Sequence, residues 1–265
     1  MIARKRFGQH FLEPAWVVKV IDAIAPGASD RFFEIGPGRG ALTRPLTGRA
    51  AHVTAFEIDR DLAAALRDTA PSNLEVVEGD FLDWRRPPEA ATNAPIRVAG
   101  NLPYNVASPI LFKLIDLYDA GLPLTDATLM LQREVADRML ARPGTREYGV
   151  LSVLVGLSSG VERLLALPPG AFRPPPKVQS ALVRVIFHAP APSPRNRQAF
   201  NDMVQAVFTR RRKTLSNALL AYNSASESAA ATALGGTGID GRRRPETLTL
   251  DEFVRLSDAL GSAML

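Results

Sequence analysis

The run Phe32-Phe33-Glu34-Ile35, followed at once by Gly36-Pro37-Gly38-Arg39-Gly40, constrains this chain more than any other segment. A short apolar run closed by a glycine turn reads as a buried strand leaving its sheet through a tight bend. Glycines there let the backbone bend sharply and let a ligand approach without meeting a Cβ. A helix is expected from Ala41. Further short apolar runs lie at 53–58, 74–77, 96–99 and 128–131, each a candidate strand. Between them lie helical patterns. Trp16, Val17, Val20, Ile21 and Ile24 recur at helical spacing over 14–25, with Pro14 suited to the first turn, and further helices are expected near 61–67, 109–118 and 150–157. Strands alternating with helices predict an α/β fold with a mostly parallel sheet.

The later part of the chain changes character. Runs at 161–167 and 180–187 flank Pro168-Pro169 and Pro174-Pro175-Pro176 and are expected to form a terminal pair of strands, at least one antiparallel. The alternating prolines of 189–194 would stiffen the chain and stop the last strand. Beyond them the pattern is helical over 199–222, weakly specified over 224–234, and helical again after Thr249, which with Glu252 has the form of a capping box. The expected organisation is one domain over residues 1–190 and a small helical domain over 191–265.

Composition narrows the chemistry. The 265 residues include no cysteine, so disulfides and cysteine-based metal or redox sites are excluded. His10, His52 and His188 lack metal-ligand spacing, and no metal is expected. The net charge of +5 and isoelectric point near 9.9 fit a polyanionic partner, although many solvated surfaces carry as much. No apolar run approaches the roughly 20 residues of a membrane helix. The basic start Arg4-Lys5-Arg6 is followed by Gly8, Gln9, His10 and Glu13, which interrupt any signal-peptide core, so a cytoplasmic protein is expected.

Three successive strand ends carry a glycine loop or an acid. Glu57 ends the second strand about 17 residues beyond Gly40, where doubly wound folds place a carboxylate on ribose hydroxyls. Asp80 ends the third and could accept from an adenine amine. Either acid alone is more often a surface residue, and the glycine turn alone could be a bend without a ligand. Together at the carboxyl edge of one sheet they favour an adenosine-containing cofactor. The spacing acid-x-Gly-x-Gly-x-Gly, with Glu34 leading Gly36 and Gly38, resembles the first motif of class I methyltransferases, which implies S-adenosylmethionine as the cofactor.

Asn101-Leu102-Pro103-Tyr104, at the end of the fourth strand, resembles the Asn/Asp-Pro-Pro-Tyr type motif of amino methyltransferases. The lone pair of an adenine amine is conjugated with the ring and attacks poorly. Acceptors around that nitrogen, here the Asn101 side chain and the Leu102 carbonyl, would favour a tetrahedral geometry and in-line attack. Pro103 would hold that carbonyl in place. Tyr104 would give the base a stacking face and a cation–π partner. The competing reading is a rigid turn with local hydrogen bonding and a buried tyrosine.

Several blocks in order, Arg4-Lys-Arg-Phe-Gly-Gln-His-Phe-Leu12, Glu34 to Thr43, Asn101 to Asn105, Phe172-Arg-Pro-Pro-Pro-Lys-Val178 with Ser180, and Phe208 to Leu219, together resemble the KsgA-type (RsmA) small-subunit rRNA adenine dimethyltransferases. The resemblance implies a class I methyltransferase (Rossmann-like) domain with a helical C-terminal domain. It implies cofactor contacts at His10, Leu12, Gly36, Gly38, Glu57, Asp80 and Asn101, and Phe172 stacking on the adenine opposite Tyr104. Read from the residues alone, Phe172 could equally be a packing residue on a rigid loop. The position of His10 is often Asn in the family, and that of Arg210 usually Gln. The implied substrate is a pair of adjacent adenosines in a hairpin loop of small-subunit rRNA, free or in a pre-30S particle, each methylated twice by a monomeric enzyme.

Arg210-Arg211-Arg212-Lys213 is expected to begin a helix, and Arg242-Arg243-Arg244 forms a second basic cluster. Such clusters are usually solvated faces. Beside an amine-methylating site, phosphate contact by Arg211, Arg212 and Lys213 is the better reading. Rival readings are an Erm-like methyltransferase of large-subunit rRNA, a DNA adenine methyltransferase, and a ribosome-assembly factor that binds RNA without needing catalysis.

Overall fold

The computed structural model describes residues 10–86, 94–222 and 226–263. The first six residues of the opening motif, Arg4 to Gln9, lie outside that range. The chain divides into two compact units, one formed by the chain up to Ala136 together with Val161–Phe187, the other by Asp137–Gly160 and His188–Leu265. The chain beyond Phe187 belongs to the second unit. The second unit also takes in Asp137–Gly160, an excursion that no linker composition in the sequence announces.

The first unit is built on a seven-stranded sheet. Its strands are β2 (Arg31–Ile35), β3 (His52–Glu57), β4 (Leu74–Glu78), β5 (Ile96–Asn101), β6 (Leu124–Gln132), β7 (Ser159–Leu167) and β9 (Ser180–Phe187), in the order β4-β3-β2-β5-β6-β9-β7. The pairings from β4 through β6 are parallel, and β9 runs antiparallel to β6. A separate two-stranded ladder joins β1 (Phe11–Leu12) to β8 (Phe172–Arg173). This is the doubly wound α/β architecture, with the antiparallel β9 inserted between β6 and the edge strand β7.

Register levels the strand ends. Ile35 of β2 pairs with Phe56 of β3 on one side and Gly100 of β5 on the other. The segments beginning at Gly36, Glu57 and Asn101 therefore emerge side by side. Gly100 permits this closeness, because a Cβ there would stand 2.9 Å from the Ile35 carbonyl oxygen.

Helix α1 (Pro14–Ile24) starts with Pro14 in its first turn, buries Val20, Ile21 and Ile24, and stops at Ala25 in the left-handed region at φ 52°. The carbonyls its last turn leaves open are taken by Arg97, whose guanidinium donates to the oxygens of Ile24 (2.8 Å) and Ala25 (3.1 Å). The same guanidinium pairs with Asp126 and Asp30, each at 2.7 Å. Thr125 and the buried Asp126 interrupt the apolar run of β6, which is why patterning finds that strand only from residue 128.

Helix α2 (Thr43–Thr47) begins later than expected because Gly36, Gly38 and Gly40 all have positive φ and extend the turn. Helix α3 (Arg60–Arg67) is capped by Asp59, whose Oδ1 accepts from the backbone of Asp61 and Leu62. Helix α4 (Ala107–Asp119) follows β5, and α5 (Arg133–Met139) follows β6. Phe32, Ile21, Ile24, Leu46 and Leu12 belong to one buried cluster. Full burial of such a side chain contributes roughly 2 kcal/mol.

In the second unit, α6 (Val150–Ser158), α7 (Arg197–Thr209), α8 (Leu215–Leu219), α9 (Glu227–Thr237) and α10 (Leu250–Ala263) pack together. The Ala/Ser-rich stretch becomes α9, capped by Ser226 Oγ and closed by Gly238 in the left-handed region. Its small buried residues Ala229, Ala230 and Ala233 let α10 approach closely. The capping box forms: Thr249 N–H donates to Glu252 Oε2 at 2.8 Å, and Glu252 N–H to Thr249 Oγ1 at 3.2 Å. Among the described residues, no helix is long and apolar enough to cross a membrane, and no cluster of three His, Cys, Asp or Glu could hold a metal.

Candidate active site

A pocket opens at the carboxyl edge of the sheet, within the first unit. His10, Leu12, Gly36, Gly38, Glu57, Asn101, Leu102, Pro103 and Tyr104, all singled out in the sequence, line it together. Glu34, Phe11, Arg39, Ile58 and Met130 join them.

The glycine turn and Glu57 form one device. Gly38 donates its N–H to Glu57 Oε2 at 2.9 Å, and Glu57 Oε1 accepts from the Asp59 N–H at 2.9 Å. A Cβ at Gly38 would stand 3.3 Å from the Phe11 ring, so the loop passes beside β1 only as glycine. Burial raises the Glu57 carboxyl above its usual range, and the N–H groups of Asp59 and Gly38 pull it part of the way back. Each carboxylate oxygen retains acceptor capacity for a ligand hydroxyl.

Glu34 lies below the loop with 1% exposure, and its Oε2 has no hydrogen-bond partner. Burial pushes its carboxyl up to about 8, with the Thr43 hydroxyl partly offsetting this and Glu57 adding to it. At neutral pH Glu34 is mostly protonated.

Asn101 donates its Nδ2 to the His10 carbonyl at 2.8 Å. With its amide nitrogen so engaged, the Oδ1 is left as an acceptor. Tyr104 is half-buried, with its Oη 2.7 Å from Ser180 Oγ and its ring stacked on His10 at 5.7 Å between centroids. Burial raises the Tyr104 phenol, and the Ser180 contact lowers it in part.

Two expected residues stand elsewhere. Phe172 does not join Tyr104 in the pocket: it is 2% exposed, pairs with Leu12 across the β1–β8 ladder, and packs in the cluster around Ile21 and Phe32. The apolar cluster claims the ring, and the packing-residue reading describes its position here. Asp80 is exposed beyond Gly79, outside the pocket lining, with Oδ1 accepting from the Leu82 N–H at 2.9 Å.

In the sequence Ile58 reads only as the end of a strand, and Ser180, although within a motif, takes no role at the site. Ile58 is 46% exposed on the pocket, an apolar surface that a flat ligand could cover, and its signal was the apolar residue directly after Glu57. Ser180 reaches Tyr104 only through the antiparallel return of β9, which spacing does not reveal.

In the second unit, the Arg210–Lys213 cluster lies in the turn between α7 and α8, where a helix start was expected. The turn closes with the Lys213 N–H donating to the Arg210 carbonyl at 2.8 Å. Arg211 is tied down, donating to the Thr145 carbonyl at 3.1 Å beside Glu246. Arg212 and Lys213 are exposed. In the other cluster, Arg242 pairs with Asp240 and Arg243 with Glu252.

Residues 2–261 match the family described as ribosomal RNA adenine dimethylase. The chain is a member of that family. Ribosomal RNA small subunit methyltransferase A of Acinetobacter baylyi is 44% identical over 97% of this chain and 92% of its own length. The protein of the same description from Nitrosococcus oceani is 45% identical over 96% and 95%. Among solved structures, a dimethyladenosine transferase from Plasmodium falciparum superimposes with a TM-score of 0.77 at 28% identity, covering 93% of this chain and 96% of that one. The 23S rRNA methyltransferase ErmE follows at 0.66 and 28%, covering 95% and 99%. This dimethylase thus has the class I methyltransferase fold in its first unit and resembles these methyltransferases along nearly its whole length.

Proposed function

We propose that the protein transfers methyl groups from S-adenosylmethionine to the exocyclic N6 of two adjacent adenosines in a hairpin loop of small-subunit rRNA, during ribosome biogenesis. The observation that carries this reading is the Asn101 amide, whose orientation is set by donation to the His10 carbonyl and whose Oδ1 remains as an acceptor. That polarity suits a substrate amine.

The pocket fits the proposed cofactor. The positive-φ glycines present backbone rather than side chains, Glu57 offers buried acceptors, and the partnerless Glu34 Oε2 is a polar atom that a ligand or its water could satisfy. Gly36, Gly38, Glu57, His10 and Leu12 would hold the cofactor, with Asp80 at the edge for its adenine amine. When bound, S-adenosylmethionine supplies an electrophilic methyl on a positively charged sulfur.

The chain's own groups do the positioning. Asn101 Oδ1 and the Leu102 carbonyl accept from the target amine and hold its lone pair toward the donor side of the pocket. Tyr104 supports the base by stacking, and its ring face favours the positive charge that develops on nitrogen. Arg212 and Lys213 would meet RNA phosphates, with recognition through backbone and unstacked bases.

The test is incubation of unmethylated small ribosomal subunits with radiolabelled cofactor, followed by mapping of the modified bases. Two adjacent dimethyladenosines in one hairpin loop are expected. Label in large-subunit RNA alone would favour the Erm-like reading and overturn this one. Asn101→Ala should abolish incorporation and leave RNA affinity intact.

A further inference from the structure

The Tyr104 ring is held at two places. Its Oη lies 2.7 Å from Ser180 Oγ, and one face stacks on the His10 ring at an interplanar angle of 27°. Ser180 is 2% exposed and opens β9, in register with Gln132 of β6, so a strand ladder sets where its hydroxyl stands. His10 is itself anchored. A carbonyl can only accept, so its Nδ1 carries the proton that bonds the Pro174 oxygen at 2.7 Å.

A tyrosine at a pocket mouth is otherwise free to turn about its two side-chain torsions, and each base that stacks on it must first order it. Here the hydroxyl is tied to a buried partner in a half-buried setting, where a hydrogen bond holds better than in water. We propose that Ser180 is a positioning residue for methyl transfer: its hydrogen bond fixes the Tyr104 ring in the plane against which the target base stacks. His10 backs one ring face and leaves the other for the base. This inference rests on the reading of Tyr104 as the stacking partner of the substrate.

The experiment compares Ser180→Ala, Ser180→Thr, Tyr104→Phe and the Ser180→Ala/Tyr104→Phe double variant with the parent protein. One readout is kcat/KM on unmethylated small subunits. The other is fluorescence quenching of 2-aminopurine placed at the target position of a hairpin RNA, which reads stacking without turnover. Ser180→Ala should lose about fivefold in kcat/KM, the worth of one hydrogen bond, and weaken the quench. Threonine should restore most of both. The double variant should be no worse than Tyr104→Phe alone, since both changes remove one bond. Losses that multiply would place the role of Ser180 in β9 itself and overturn the proposal, as would Ser180→Ala at the parent rate. Should Ser180→Ala fail to fold, Tyr104→Phe decides: at the parent rate with full quenching, no bond remains through which Ser180 could act. A parent that neither methylates nor quenches overturns the proposed function together with this inference. A parent that does both, with unaffected variants, overturns this inference alone.

Discussion

Gly38 and Glu57, 19 residues apart, are joined by a 2.9 Å hydrogen bond from the backbone of the first to Oε2 of the second. The loop at the end of β2 is thereby held by the carboxylate at the end of β3, which under the proposed function would also accept from the cofactor's ribose.

Glu57→Ala should therefore weaken S-adenosylmethionine binding by at least about tenfold, the scale of a lost charge-assisted hydrogen bond. Isothermal calorimetry checks this, with circular dichroism reporting that the fold persists. Unchanged affinity would remove Glu57 from the binding site.

The Glu34 carboxyl, pushed up to about 8 in the folded chain, titrates near 4.5 once unfolded. Between those values the folded state holds a proton that the unfolded state has lost, so stability falls as pH rises and levels off above about 8. Glu34→Gln should abolish that decline. The ligand-free variant should match the parent near pH 4.5 and exceed it at pH 9 by on the order of a few kcal/mol. Urea unfolding at the two pH values measures it, and parallel pH profiles would contradict it.

Phe172→Ala should cost roughly 3–5 kcal/mol of stability, as expected for a large ring removed from a packed cluster. Phe172→Leu should keep most of the stability and most of the methylation. A stable Phe172→Leu protein with methylation reduced a hundredfold would show that the ring serves the base after all.

Arg212→Ala and Lys213→Ala should each lower the slope of log affinity against log salt by about 1, because each exposed cation releases roughly one counterion from RNA. Arg211→Ala should instead lower the melting temperature, since Arg211 bonds Thr145 within its own unit. Filter binding over a salt series separates the two behaviours.

Much of the fold was legible because strands of a parallel sheet are apolar runs and the helices between them carry a 3.6-residue period. β2, β3, β4 and β5 fall within two residues of expectation for that reason. The start of β6 is hidden because Asp126 is a buried carboxylate satisfied by a tertiary partner, Arg97. The Arg210–Lys213 turn was misread because nothing local announces where α7 stops. At the site, Glu57, Asn101 and the glycine loop line one pocket because register sets their strand ends level, whereas Asp80, beyond Gly79, stands outside it. Phe172 does not line it either, because whether an aromatic before a proline run enters a pocket or a core is decided by what packs around it.

The reversal of β9 has a consequence for how the pocket is completed. A strand parallel to its neighbours delivers its final residue to the ligand edge, whereas β9 delivers its first, Ser180, and then runs away from it. During synthesis β2, β3 and the glycine loop are made early, yet Ser180, the partner of Tyr104, follows only after β7 and the proline run. A chain cut short before β9 would keep Tyr104 and lose the hydroxyl that holds its ring.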